Sequence, residues 1–395
     1  MEGIFKLASR TPDSRPVPQY LTPDHAARVR DFHKTIPGYA PTPLISMKDT
    51  AKELGVGKIW VKDESKRFSL NAFKVLGGSY AMGRLLSDRL GLEQPDFSLL
   101  TAPEIREKLG EITFVTATDG NHGRGVAWSA AQFRQNSVVY MPFGSAAERL
   151  ENIRALGSEA EIIGGNYDDA VRLAAKQAEE QGWLLVQDAA WEGYEDIPRW
   201  IMEGYCTMGL EILEQLDDIP THIFLQAGVG SMAGAMAGLF TAGLKEKPTI
   251  IIVEPNKADC IFRTAQADDG QLHTVTGSMD TIMAGLACGE PCSLGWEVLK
   301  NTASHFLSCP DSAAAFGMRI LGNPAGEDQR IISGESGASA FGCAAAILTD
   351  PNLHRIRDAL GLGADSRLLF LSTEGDTDRA NYRAVTWGGK FCAEI

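Results

Sequence analysis

Short β-branched apolar runs alternate along this chain with longer stretches in which apolar residues recur at helical spacing. Strands are predicted at residues 58–62, 113–116, 137–141, 161–163, 184–186, 222–225, 249–253 and 368–371, and helices at 121–133, 146–156 and 167–181. Strand, helix, strand in that rhythm predicts an α/β fold of parallel sheets flanked by helices, with ligands bound in loops at one sheet edge. The strands near 114, 139, 162 and 185 lie close in sequence and predict a small four-stranded unit, while those near 60, 224, 251 and 369 predict a larger one. No repeat, low-complexity tract or Pro/Ser-rich linker marks a boundary. Strand grouping alone divides the chain, into a large α/β unit of residues 1–76 and 205–395 and a small one of 77–204.

Composition narrows the function classes. The 395 residues are 44% hydrophobic and 22% charged, an ordinary globular balance with length for about two domains. Lys and Arg total 37 against 51 Asp and Glu, and the formal charge of −14 would repel a phosphate backbone, so no nucleic-acid partner is expected. Seven cysteines at irregular spacing read as reduced thiols, which places the chain in the cytoplasm. Cys288 and Cys292 have no second Cys or His pair beside them, so no metal site is expected. Residues 1–16 lack the apolar core of a leader, and no apolar run approaches the roughly 20 residues of a membrane helix, so no membrane partner is expected.

Four polar segments follow predicted strands. Lys74 stands among apolar neighbours in Asn71-Ala72-Phe73-Lys74-Val75-Leu76, where desolvation is expected to lower its pKa and make it a Schiff-base nucleophile. A lysine snorkelling from a helix start is the competing reading of that segment alone. In Thr118-Asp119-Gly120-Asn121-His122-Gly123 the backbone N–H groups at a helix start can face a carboxylate; a turn capped by Thr118 or Asp119 is the plainer alternative. Gln226-Ala227-Gly228-Val229-Gly230-Ser231-Met232-Ala233 suits a phosphate, yet Gly228-x-Gly230-x-x-Ala233 also fits a dinucleotide fingerprint, with Glu254 as its ribose acid. Ser372-Thr373-Glu374-Gly375-Asp376 closes the set, with a solvated turn as its alternative.

Together with Pro41-Thr42-Pro43-Leu44, the order of these segments resembles the fold type II family of pyridoxal-phosphate enzymes, over about residues 41–378. That family includes threonine dehydratase and the β subunit of tryptophan synthase. Ala72 and Asp119 depart from the dehydratase pattern. With Gln187-Asp188-Ala189-Ala190-Trp191-Glu192-Gly193-Tyr194, the motifs resemble the diaminopropionate ammonia-lyase branch.

The resemblance implies two parallel-sheet α/β domains with the active site between them and pyridoxal phosphate as cofactor. Lys74 would hold the cofactor covalently, and Gly228, Val229, Gly230, Ser231 and Met232 would cradle its phosphate, with the Ser231 hydroxyl as an added donor. Asn121 would meet the ring hydroxyl and Ser372 the pyridine nitrogen, with Thr373 next in line and Glu335 near the ring. A neutral hydroxyl at that nitrogen weakens the electron sink, which the family is thought to use to favour β-elimination. Thr118, Asp119 and His122 would hold the substrate carboxylate, and Asp119 and Asp188 would face its two ammonium groups. Asp119 would also serve as a second base, for the D enantiomer, beside Lys74 for the L. The expected whole is a homodimer acting on a small-molecule amino acid.

Overall fold

The structure, a computed structural model, describes residues 5–13 and 15–392. The first four residues of the stretch read above for a leader, together with Ser14, lie outside them. Eleven strands form two sheets: β1 (Lys6–Ser9), β2 (Leu44–Ser46), β3 (Lys58–Asp63), β4 (Thr113–Ala117), β5 (Asn136–Met141), β6 (Glu159–Ile162), β7 (Leu184–Leu185), β8 (His222–Gln226), β9 (Thr249–Pro255), β10 (His305–Cys309) and β11 (Arg367–Ser372). The larger sheet runs β1-β10-β9-β8-β11-β3-β2 and the smaller β6-β5-β4-β7.

Both strand groupings expected from the sequence are present, and within each grouping the paired strands are parallel. Three strands were not expected. β10 is an inner strand of the large sheet, between β1 and β9, yet His305-Phe306-Leu307-Ser308-Cys309 contains no β-branched residue. β1 and β2 are short, and they close the two edges of the large sheet in antiparallel pairing. An inner strand such as β9 is buried on both faces, so Ile250, Ile251, Ile252 and Val253 read as one apolar run without alternation.

The divisions at 76/77 and 204/205 fall inside the continuous helices Val75–Leu90 and Asp196–Gln215, which pack on each other. Among the described residues no helix is long and apolar enough to cross a membrane, and no cluster of His, Cys, Asp and Glu could hold a metal ion.

The end of β3 and the turn after it bury several charged residues, Lys62, Glu64 and Arg67 among them. Arg67 Nη2 lies 2.8 Å from both Glu64 Oε1 and Glu211 Oε2, and Lys62 Nζ lies 2.8 Å from Glu211 Oε2, all four side chains being closed to solvent. Burial pulls the Lys62 ammonium below its usual range. Such a cluster anchors geometry more than it adds stability, because desolvation offsets much of the attraction. It holds a strained segment: Phe68, Ser69 and Asn71 all have positive φ (48°, 59° and 60°), a conformation a non-glycine residue keeps only when its surroundings fix it. Those surroundings are the residues after β11. Gly375 N donates to Asn71 O at 3.0 Å, and Phe73 N donates to Thr373 O at 3.1 Å.

Candidate active site

The loops after β3, β4, β8 and β11 meet at the carboxyl ends of the two sheets and enclose a cavity. Its walls include Lys74, Thr118, Asp119, Asn121, His122, Asp188, the loop residues 228–232 and Thr373.

Lys74 begins the helix Val75–Leu90, and its Nζ lies 2.6 Å from Asp188 Oδ2. The lowered pKa expected for it is corrected here. Burial does push the ammonium down, but the Asp188 carboxylate in contact with it, with Tyr205 and Asp119 nearby, outweighs that and raises it above the ordinary lysine range. Asp188 is buried, only 2% exposed. Burial opposes its charge, but Lys74 and His122, together with the Lys74 and Tyr167 hydrogen bonds, hold the carboxyl well below the usual range. The two side chains form an ion pair in which Lys74 Nζ donates to the Asp188 carboxylate.

The loop after β4 is arranged by its own short side chains. Thr118 Oγ1 accepts from Gly120 N at 2.9 Å, so the threonine caps the turn. Asp119 caps nothing: its Oδ2 lies 3.1 Å from Arg149 Nη1, on the helix Ala147–Arg154. The His122 ring contacts Val186 O through Nε2 at 2.7 Å, and burial lowers its pKa. Asn121 donates to Glu374 Oε2, so its carbonyl oxygen remains available.

Three expected contacts are redistributed. Ser231, expected to donate to a phosphate, donates its hydroxyl proton to Asp188 O. Ser372, expected at the pyridine nitrogen, points away from the cavity and donates to Ser333 Oγ at 2.7 Å, whereas Thr373 lines the wall. Consecutive side chains of an extended segment face opposite ways, so only one of the pair can reach the cavity. Thr373 Oγ1 accepts from Gln226 Nε2 at 2.9 Å and keeps its own proton to donate. Glu335 likewise gives its place on the wall to Glu374. It lies outside, accepting from Asn381 Nδ2 at 2.6 Å, and burial with the neighbouring Glu374 charge raises its pKa to about 7.

Sequence reasoning missed Tyr205, Gln226, Glu374 and Arg149. Tyr205 and Arg149 sit within helices and read as core and surface. Glu374 carried a visible signal, an acid two residues after the strand-end Ser372.

The cavity fits pyridoxal phosphate on two observations. Three buried polar atoms of residues on its wall have no hydrogen-bond partner: His122 Nδ1, Tyr205 OH and Gln226 Oε1. The loop 228–232 is also closed to side chains. A Cβ at Gly228 would stand 3.1 Å from Gly285 O, and Gly230 has a φ of +96°, which leaves the backbone N–H groups at the start of the helix Ser231–Gly243 open to an anion. The dinucleotide alternative fails at Glu254. It is buried, absent from the cavity wall, and its two oxygens accept from Ile261 N at 2.8 Å and Phe262 N at 2.6 Å, capping the helix Cys260–Ala267.

A pair of variants separates the two loop readings. Gly230→Val forces a β-branched residue into positive φ, at about 1–3 kcal/mol, and is expected to weaken cofactor retention roughly tenfold, read by absorbance after dialysis. Glu254→Gln is expected to leave retention unchanged and to lower thermal stability, because one N–H loses its acceptor at a cost of about 1–3 kcal/mol.

The profile of the pyridoxal-phosphate dependent enzymes matches residues 35–373. The chain belongs to that family. It is 53% identical over 370 residues to the diaminopropionate ammonia-lyase of Escherichia coli strain K12, covering 92% of each chain. The crystal structure of the holo diaminopropionate ammonia-lyase from Escherichia coli superposes with a TM-score of 0.92 at 49% identity, over 98% of this chain and 97% of that one. The same enzyme in complex with D-serine superposes at 0.91, with 48% identity and 98% of both chains. This pyridoxal-phosphate enzyme therefore has the fold type II architecture.

Proposed function

We propose that the chain converts 2,3-diaminopropionate of either hand, with one water, to pyruvate and two ammonia, as a cytoplasmic homodimer. The observation that carries the reading is the charge of the cavity wall. Asp119, Asp188 and Glu374 face a space that also holds Lys74 and the helix-start N–H groups after β4. A substrate with two ammonium groups and one carboxylate matches that arrangement, since a carboxylate suits the N–H groups at residues 120–122 and a second ammonium suits the carboxylates.

Bound pyridoxal phosphate supplies the electron sink for the pair left at Cα when its proton departs. Lys74 would hold it covalently, the N–H groups of 228–232 its phosphate, Asn121 its ring hydroxyl, and Thr373 its ring nitrogen. Lys74 removes the Cα proton of the L enantiomer, and Asp119 that of the D enantiomer from the opposite face. The departing β-amino group needs a proton, and Asp188, hydrogen-bonded to Lys74, links the group that gains the proton to the group that must give it.

Stoichiometry tests the proposal. The holoenzyme given diaminopropionate is expected to release two ammonia per pyruvate, measured by coupled assays on one sample. A preference for serine or threonine, with one ammonia per keto acid, would replace this substrate with that of a dehydratase.

A further inference from the structure

Arg149 has no place in the chemistry above, yet its guanidinium touches Asp119 on the cavity wall. It is buried, 6% exposed, beneath the turn that carries Asp119. Nη1 donates to Asp119 Oδ2 at 3.1 Å and Nη2 to Thr377 Oγ1 at 3.2 Å, and Glu335 Oε2 stands 3.9 Å away. The Thr377 hydroxyl passes the connection on, donating to Glu374 Oε2 at 3.3 Å, the oxygen that also accepts from Asn121. Asp119 and Arg149 flank strands of the small sheet, whereas Thr377, Glu374 and Glu335 lie around β11 of the large one. A single side chain thus spans the two sides of the cavity.

Its geometry is set from below. A Cβ on Gly120 would come within 2.8 Å of Arg149 Cδ, so the stem packs directly on the bare backbone of the Asp119 turn. The planar fork then addresses two partners at fixed angles, which a lysine could not do. Arg149 is absent from the inner cavity wall, so it acts through Asp119. The Asp119, Glu335 and Glu374 carboxylates around it keep it charged.

We propose that Arg149 is a positioning residue for the D-enantiomer half of the reaction: it aims the Asp119 carboxylate at the substrate face opposite Lys74, and it does so through its anchor on Thr377. The proposal rests on Asp119 being the second base. Lys74, held by Asp188, does not depend on this connection, so the two enantiomers should respond differently to its loss.

The experiment measures kcat and KM for D- and L-diaminopropionate on holoenzyme variants, with the cofactor absorbance spectrum recorded for each. Arg149→Met is expected to lower kcat on the D form by about tenfold to a hundredfold, the scale of a misplaced reacting group, with KM little changed and a loss on the L form of severalfold at most. Arg149→Lys should recover part of the D activity. In the Asp119→Asn background, Arg149→Met should add no further D loss, because the two side chains act as one unit.

Equal losses on both enantiomers, or additive losses in the double variant, overturn the positioning role and leave the Asp119 assignment standing if Asp119→Asn alone is D-selective. If Asp119→Asn is not D-selective, the base assignment fails and this inference fails with it. Should Arg149→Met not fold, Thr377→Val decides in its place: a D-selective fall supports the proposal, and an unchanged ratio of the two activities overturns it.

Discussion

Replacing Lys74 by alanine is expected to cut turnover of diaminopropionate by about a thousandfold or more, the scale seen when one group serves as both nucleophile and base. The cavity keeps its other contacts in that variant, so the protein should still take up pyridoxal phosphate through the loop 228–232, reversibly and without the absorbance of a lysine-bound cofactor. The variant also strips Asp188 of its 2.6 Å partner and leaves a buried carboxylate without that cation. Asp188 is held acidic chiefly against burial by the Lys74 charge, so its pKa should rise in the variant, and any residual activity should vanish more readily in acid than that of the parent. The measurements are kcat against pH and cofactor loss on dialysis. Near-normal turnover by Lys74→Ala would end the assignment.

The second large effect is selective by hand. Asp119→Asn keeps the size of the side chain and an oxygen for Arg149, and removes the proton acceptor. Activity on D-diaminopropionate is expected to fall at least about a hundredfold, the usual scale for a lost general base, while the L form is much less affected. The capping alternative would have predicted a loss of stability shared by both substrates. The structure removes it, because Thr118 supplies the oxygen at the turn and the Asp119 carboxylate is turned to Arg149. Initial rates on the two enantiomers, taken on one preparation, decide the matter.

Much of this was legible in the sequence because the informative residues are local. The four strand-end segments each announce themselves within ten residues, through glycines, short polar side chains and a preceding apolar run. What was not legible depends on residues far apart in the chain. Lys74 was expected to be lowered by burial, and it is raised because Asp188, 114 positions later, lies against it. Arg149 appears as one basic residue in a helix of mixed charge, and only the folded chain brings it to Asp119 and Thr377. The exchange of Ser372 for Thr373 turns on which of two adjacent side chains faces inward at a strand end, a choice fixed by register with β3 and β8. β10 escaped because its neighbours, not its composition, make it a strand: His305-Phe306-Leu307-Ser308-Cys309 is held between β1 and β9.

The pairing of β3 with β11 carries a consequence for the order in which this molecule is made. Trp60 lies against Leu369 and Asp63 against Ser372, and the strained turn before Lys74 takes its hydrogen bonds from residues 373 and 375. During synthesis the lysine segment emerges about 300 residues ahead of the strand that fixes it, at a rate of roughly 5–20 residues per second. The small sheet, whose strands all lie between Thr113 and Leu185, has its pairing partners close at hand and can form meanwhile. The lysine must wait for the end of the chain. Cofactor capture is therefore a late event in the life of the nascent protein, and a ribosome-bound chain halted before β11 should display a folded small sheet with no competence to retain pyridoxal phosphate.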